Sequence, residues 1–418
     1  MTGLSFLARA ALGVVALGLA ACGATTRIAK TTPPRDTVVL VSIDGFRADY
    51  LDRGLTPHLS ALAADGVRAE GMRPSFPSLT FPNHYTLVTG RRPDHHGIVH
   101  NVVEDPHLPG RFVYNRPATT GDQRWWNGGE PIWVGAERQG VRTATMFWPG
   151  SDVVIRDRRP WQWRPFDKNV TPDQRVDTVL GWLALPAAER PRFITLYFEH
   201  VDKAGHDYGP DSPEVAAALG GIDAALGRLV DGLERLGVGA STNLVIVSDH
   251  GMIATSRERI VFIEDLVDLS RVRAVNLGIT AGFEPLPGQS HYADAKLLAP
   301  HPHFDCWRRH AMPPRFHYGR HQRVPPIVCL ADAGWILTTR EYLAKRKDGV
   351  PGGEHGYDNA LTDMAALFVA HGPAFRRGAV VPMFDNVDVY PLLARLVGIR
   401  PAANDGNPAT GRAMLVAP

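Results

Sequence analysis

Five short apolar runs constrain this chain more than any other feature. They lie at Thr37–Ile43, 142–148, 192–198, 243–248 and 365–370, each bounded by polar, Gly or Pro residues. Between them run stretches of helical periodicity at Pro57–Asp65, Thr80–Thr89, 173–185, 213–236 and 386–397. Apolar strands that alternate with helices predict an α/β fold: a mostly parallel central sheet covered by helices on both faces. A length of 418 residues suits one large domain of this kind with insertions. In such sheets ligands bind beyond the carboxyl ends of the strands, so the residues that follow each run are where chemistry is expected.

Two stretches interrupt the alternation. Residues 101–140 are rich in loop formers and carry Trp125, Trp126 and Trp133. Residues 282–353 hold Cys306, Cys329 and a run of His and aromatic residues (His301, His303, Phe304, Trp307, His310, Phe316, His317, Tyr318, His321). The second is read as an inserted cap region, its histidines solvated rather than metal-bound.

The amino terminus is of another kind. Arg9 is the sole charge among the first 22 residues, and Ala10 to Ala21 form an apolar and small-residue run of 12. That run is short for a bilayer span, which needs about 20 residues, and fits the core of a secretory signal. It ends Leu19-Ala20-Ala21-Cys22, similar to a bacterial lipobox. The expectation is a signal peptide over 1–21, lipidation of Cys22, a linker over 22–36, a catalytic region over 37–400 and a tail over 401–418. The protein would then be exported to the periplasm and held to a membrane through Cys22 alone. An oxidising compartment also permits a Cys306–Cys329 disulfide. Asn169-Val170-Thr171 matches a glycosylation acceptor and, in a bacterial chain, is read as chance. With 45 Lys and Arg against 43 Asp and Glu, the chain lacks the basic excess of a protein that binds nucleic acid by neutralising phosphates.

Carboxylates and imidazoles gather where strands end. Asp44 follows the first run, Glu199-His200-Val201-Asp202 and then His206 follow the third, and Asp249-His250 follow the fourth. His355 lies further on, in Gly352-Gly353-Glu354-His355-Gly356. Singly, each has an ordinary structural explanation. Together they supply the oxygen and nitrogen donors of catalytic zinc sites, at three or four per ion, and six are enough for two ions. Thr80 stands just before Pro82 in a capping position, where unsatisfied N–H groups and the positive end of the helix dipole suit a phosphate and an alkoxide.

These segments, in order, resemble a known family. Val41-Ser42-Ile43-Asp44-Gly45-Phe46-Arg47, the run from Thr80 to Gly90, His96-Gly97-Ile98-Val99-His100-Asn101, Asp202-Lys203-Ala204-Gly205-His206 and Ser248-Asp249-His250-Gly251-Met252 look like the nucleotide pyrophosphatase/phosphodiesterases of the alkaline phosphatase superfamily. The resemblance implies two Zn2+ ions, one on Asp202, His206 and His355, the other on Asp44, Asp249 and His250 with Thr80 beside it. It implies that Thr80 is the nucleophile of a covalent phosphothreonine intermediate and that Asn101 holds a phosphoryl oxygen. Phe81 and Tyr197 would stack a nucleobase of a small-molecule substrate. One departure bears on substrate: some nucleotide-cleaving relatives carry Lys just before this Thr, where the chain has Leu79. Rival readings are a phosphomonoesterase or a phospholipid or choline head-group diesterase on the same scaffold, and a surface lipoprotein that binds metal or nucleotide without turnover.

Overall fold

The structure, a computed structural model, describes residues 36–346 and 349–416; the expected signal peptide and Cys22 lie outside the described residues. Its largest sheet has eight strands, in the order Ala379–Val381, Val67–Ala69, Phe368–His371, Thr242–Val247, Thr37–Ile43, Phe193–Phe198, Thr143–Met146 and Gln162–Arg164. The last five run parallel. Phe368–His371 runs against both of its neighbours, so the sheet is mixed, with this one strand reversed.

Thr37–Ile43 is buried along its whole length. Val38 and Leu40 pack into one core and Val39, Val41 and Ile43 into the other, the alternation of a strand covered on both sides. Leu59, Val176 and Leu226, on helices Pro57–Asp65, Pro172–Leu183 and Pro213–Arg235, share the second core. Leu87, Ile132 and Leu392, on Thr80–Thr89, Ile132–Arg138 and Val389–Val397, share the first. Thr171, part of the apparent glycosylation acceptor, is the N-cap of Pro172–Leu183 in a capping box with Gln174.

Register positions the chemistry. Ile43 pairs with Phe198 and Ser42 with Val247. The residues that follow therefore leave the sheet along a single edge: Asp44, Glu199 and Ser248-Asp249.

A separate four-stranded antiparallel sheet joins Val272–Asn276, Thr280–Pro285, Ile327–Ala331 and Phe304–Arg308; its first strand lies upstream of residue 282. Cys306 and Cys329 face each other in its register and are disulfide-bonded, 23 residues apart. Replacing both with Ala is expected to lower stability by about 3 kcal/mol, the chain-entropy value for a loop of this size, measured by chemical unfolding; an unchanged midpoint would mean the bridge does not constrain the unfolded chain. Residues 101–140 are more regular than their composition suggests. They hold a hairpin of Val102–Asp105 and Leu108–Val113 and the helix Ile132–Arg138, and all three tryptophans are buried.

Candidate active site

Two groups of three side chains converge at the carboxyl edge of the sheet: Asp202, His206 and His355, and Asp44, Asp249 and His250. Within each, one donor atom per residue lies within 4.8 Å of the others. Asp202 and His206 are one turn apart on helix His200–Tyr208, so both project from one face. Glu199 and His200 turn elsewhere: Glu199 pairs with buried Arg175 (Nη2 to Oε1 2.9 Å). Gly45 lets the two groups meet. At its φ of 69° a Cβ would stand 2.8 Å from the Asp202 Cα. Its N–H donates to Asp249 Oδ1 (3.2 Å), and the Asp202 N–H donates to the Asp44 carbonyl (3.0 Å).

Each histidine is oriented by a backbone carbonyl. Nδ1 lies 2.9 Å from the Gly353 oxygen in His206, 2.9 Å from the Gly251 oxygen in His250 and 2.8 Å from the Ser78 oxygen in His355. That arrangement protonates Nδ1 and leaves Nε2 as the ligand atom, the usual support of a metal-binding imidazole. His250 Nε2 lies 3.0 Å from Asp249 Oδ2 and 3.5 Å from Asp44 Oδ1; His206 Nε2 lies 3.5 Å, and His355 Nε2 3.7 Å, from Asp202 Oδ1. Those three carboxylate oxygens are also buried atoms without a hydrogen-bond donor. Orphaned oxygens facing unprotonated nitrogens fit divalent cations.

The electrostatics agree. Burial, then Asp249 and Asp202, hold the Asp44 carboxyl well above the ordinary carboxylate range, against the opposing hydrogen bond from Tyr197. Burial pushes Asp249 up as well, but His250 and His84 outweigh it and hold that carboxyl well below the usual range. Burial lowers His250 and His206, yet Asp249 raises the first, and Asp202 with Glu354 the second, above an ordinary imidazole. His355 is held well below it by burial and then by His250 and His206. Carboxylates crowding one another beside crowded imidazoles is the charge pattern that bound cations relieve.

Thr80 lies against the second of these groups and lines a cavity with the first. It is the first residue of helix Thr80–Thr89 and not its cap: the helix begins earlier than Pro82 implied, and Leu79 takes the N-cap position without a side-chain bond. The Thr80 hydroxyl, released from capping, lies 3.3 Å from His250 Nε2. Asn101 Oδ1 accepts the Phe81 N–H (3.0 Å), which leaves the Asn101 amide group as a donor toward the site. His84, quoted in the sequence motif but assigned no role there, is buried: Nε2 meets Ser42 Oγ at 2.8 Å, and Nδ1 lies 2.9 Å from the Thr80 carbonyl and 3.3 Å from Asp249 Oδ2. It ties the Thr80 segment to a candidate ligand.

The two aromatic residues fare differently. Tyr197 is buried with its ring edge-on to His84, and its hydroxyl donates to Asp44 Oδ2 (2.6 Å). A ring packed this way positions Asp44, a role the sequence expectation of base stacking did not include. Next to it, Phe166 is 55% exposed, with its ring 6.0 Å from that of Tyr197. Phe81 is half-buried against Phe112, Tyr114 and Trp126. Thr80, Asn101, Asp202, His206 and His355 open into a cavity of about 370 Å³ whose far wall is built by cap residues such as Ile279 and Ile336. The histidine run of the cap is dispersed: His301 stacks on Phe304 and His303 on Trp335.

Residues 38–358 match the family model described as type I phosphodiesterase / nucleotide pyrophosphatase. The chain belongs to that family. It is a hydrolase of phosphodiester bonds on the alkaline-phosphatase-like α/β fold. It is 37% identical over 385 residues to an uncharacterized pyrophosphatase/phosphodiesterase of Schizosaccharomyces pombe, covering 89% of this chain and 79% of the relative. To human ectonucleotide pyrophosphatase/phosphodiesterase family member 1 it is 37% identical over 90% of its own length but only 41% of the human protein, so it spans under half of that relative. Murine family member 5, solved as an inactive Thr-to-Ala form with AMP, superposes with a TM-score of 0.86 at 33% identity, covering 91% of this chain and all of that one.

Proposed function

We propose that this chain is an exported, zinc-dependent diesterase. It cleaves phosphodiester and pyrophosphate bonds of nucleotides and nucleotide esters and releases nucleoside 5'-monophosphates. The observation that carries the reading is the Thr80 hydroxyl beside His250, next to two groups whose carboxylate oxygens lack donors. The AMP complex of the murine relative, obtained with an inactive Thr-to-Ala form, supports it.

Asp202, His206 and His355 would hold one zinc, and Asp44, Asp249 and His250 the other, with Thr80 as a further ligand. Bound there, the cations supply the positive charge that lowers a hydroxyl pKa and balances the attacking and leaving oxygens. Thr80 Oγ1 forms a bond to phosphorus as the P–O bond to the leaving group breaks, giving a threonyl phosphodiester. Water then cleaves the Thr80 ester, returning the hydroxyl and releasing the monophosphate; two inversions leave retention at phosphorus. The Asn101 amide donates to the non-bridging oxygen where charge builds, a contact whose loss costs about 3 kcal/mol. Tyr197 holds Asp44 in place. Phe81 and Phe166 supply aromatic surface for the base. Phe166→Ala is expected to raise KM for a nucleoside ester about tenfold, from stacking of about 1–3 kcal/mol, and to leave methyl nitrophenyl phosphate unaffected; equal effects on both would return Phe166 to packing.

A monoesterase would need spare cations for a dianion, and the near-site ones are engaged: Arg47 by Asp49 (2.6 Å) and Asp363 (3.4 Å), Lys203 by Asp207. The test compares kcat/KM for the nitrophenyl ester of a nucleoside monophosphate with that for nitrophenyl phosphate. A diester preference of about 100-fold or more is expected; a preference for the monoester would overturn the reading. Export and lipidation of Cys22 complete the proposal and would hold the enzyme at a bacterial membrane facing the periplasm.

A further inference from the structure

The sheet has opposite chemical character at its two edges. Acids and imidazoles of the site collect where the parallel strands end, and arginines collect where they begin. Arg142 and Arg192 directly precede Thr143–Met146 and Phe193–Phe198, whose first residues pair in register. The reversed strand Phe368–His371 delivers Arg376 and Arg377 to this same edge, since its last residue pairs with Leu244 near the start of Thr242–Val247. Helix Val389–Val397 ends there too: the Val397 carbonyl accepts from Arg192 Nη2 (2.6 Å). Arg395 is in its last turn. Arg376, Arg377, Arg395 and Arg412 are all exposed and line an open groove with Leu415 and Val416.

The chain enters its folded body beside this groove. Asp36 accepts from Asn243 Nδ2 (3.4 Å), and Asn243 Oδ1 accepts the Ala374 N–H (3.0 Å), two residues before Arg376. A linker over 22–36 reaches at most about 50 Å when extended.

We propose that this arginine-lined edge docks on an anionic phospholipid surface, with the active site turned away from the membrane toward soluble substrates. The occupant follows from the groove's form. Its four arginines are exposed, with Arg377 paired to Asp65 (3.5 Å) and Arg376 donating to the Ala413 carbonyl (3.2 Å), and no aromatic side chain lines it, so it lacks the enclosure that holds a nucleotide or another small anion. Its charge and exposed apolar Val416 complement a flat anionic interface. The orientation follows from the groove and the site lying at opposite edges of the sheet, so neither it nor the docking depends on the Cys22 reading.

The experiment uses the mature chain with Cys22→Ser, which takes no acyl group, sedimented with vesicles of phosphatidylcholine alone or mixed with phosphatidylglycerol. Binding is expected with the anionic vesicles only, and it should disappear at high salt. The double variant Arg395→Gln/Arg412→Gln should bind about 30-fold more weakly, from roughly 1 kcal/mol per basic residue taken twice, while hydrolysing a soluble nucleotide ester at the parent rate. Equal affinity for both vesicle types, or a double variant that binds like the parent, would overturn the proposal. So would release by millimolar inorganic phosphate at fixed ionic strength, which would make the groove a small-anion site. Binding is read without catalysis, so this result and the diesterase test fail independently.

Discussion

Thr80→Ala is expected to lower kcat for a nucleotide diester by about four to six orders of magnitude, the scale on which enzymes lose a covalent nucleophile. Geometry makes this a demanding test. The Thr80 side chain does not cap its helix, and its hydroxyl contact is with His250. The variant should therefore fold with a stability within about 1 kcal/mol of the parent and keep its full metal content. Thr80→Ser, which retains a hydroxyl at the same place, should keep measurable turnover. If the alanine variant turned over at near-parental rates, Thr80 would be a helix residue near the site, and water would have to attack phosphorus directly.

Asp249→Asn should cost at least about 100-fold in kcat/KM at modest zinc, more than the loss of a supporting contact, and regain part of it when zinc is raised. Asp249 is fully buried, its Oδ1 accepts from Gly45 and its Oδ2 faces His250 Nε2 without a donor. An amide of the same shape can keep the Gly45 bond while removing the charge. Recovery by zinc separates a ligand from a merely structural acid, because a folding defect would not respond to metal in proportion to occupancy. A loss of activity that no zinc concentration relieves, in a folded variant, would assign Asp249 to the scaffold.

The strands were legible because burial on both faces leaves a continuous apolar signal that a polar residue visibly ends. Thr37–Ile43 stands where the pattern put it, and four other runs agree to within a few residues. Asp44 and Asp249 could be placed at one edge from that signal alone, since parallel strands end together. Val67–Ala69, Gln162–Arg164 and Ala379–Val381 were not legible: each has three residues, too few for a pattern. Nor does composition encode direction, so the reversal of Phe368–His371 appears only in its pairing. Helical spacing marks Asp202 and His206 as a pair one turn apart, but Glu199 is three residues from Asp202, and only its N-cap position and its pairing with Arg175 set it apart. Tyr197 and Phe166 show the limit at the aromatic end of the site. Residue type marked Tyr197 as a stacking candidate and passed over Phe166; the bond of Tyr197 to Asp44 and the exposure of Phe166 appear only in the packing. His84 was hidden for a similar reason: its role depends on Ser42 and Asp249, which lie far from it in sequence.

The most direct measurement is zinc per chain by elemental analysis, on the parent, on Thr80→Ala and on one variant from each ligand group, His355→Ala and His250→Ala, all dialysed against the same free zinc near neutral pH. Two equivalents are expected in the parent and in Thr80→Ala, and about one in each histidine variant. One equivalent in the parent, or two retained in both histidine variants, would contradict a nucleophile set between two separately held cations.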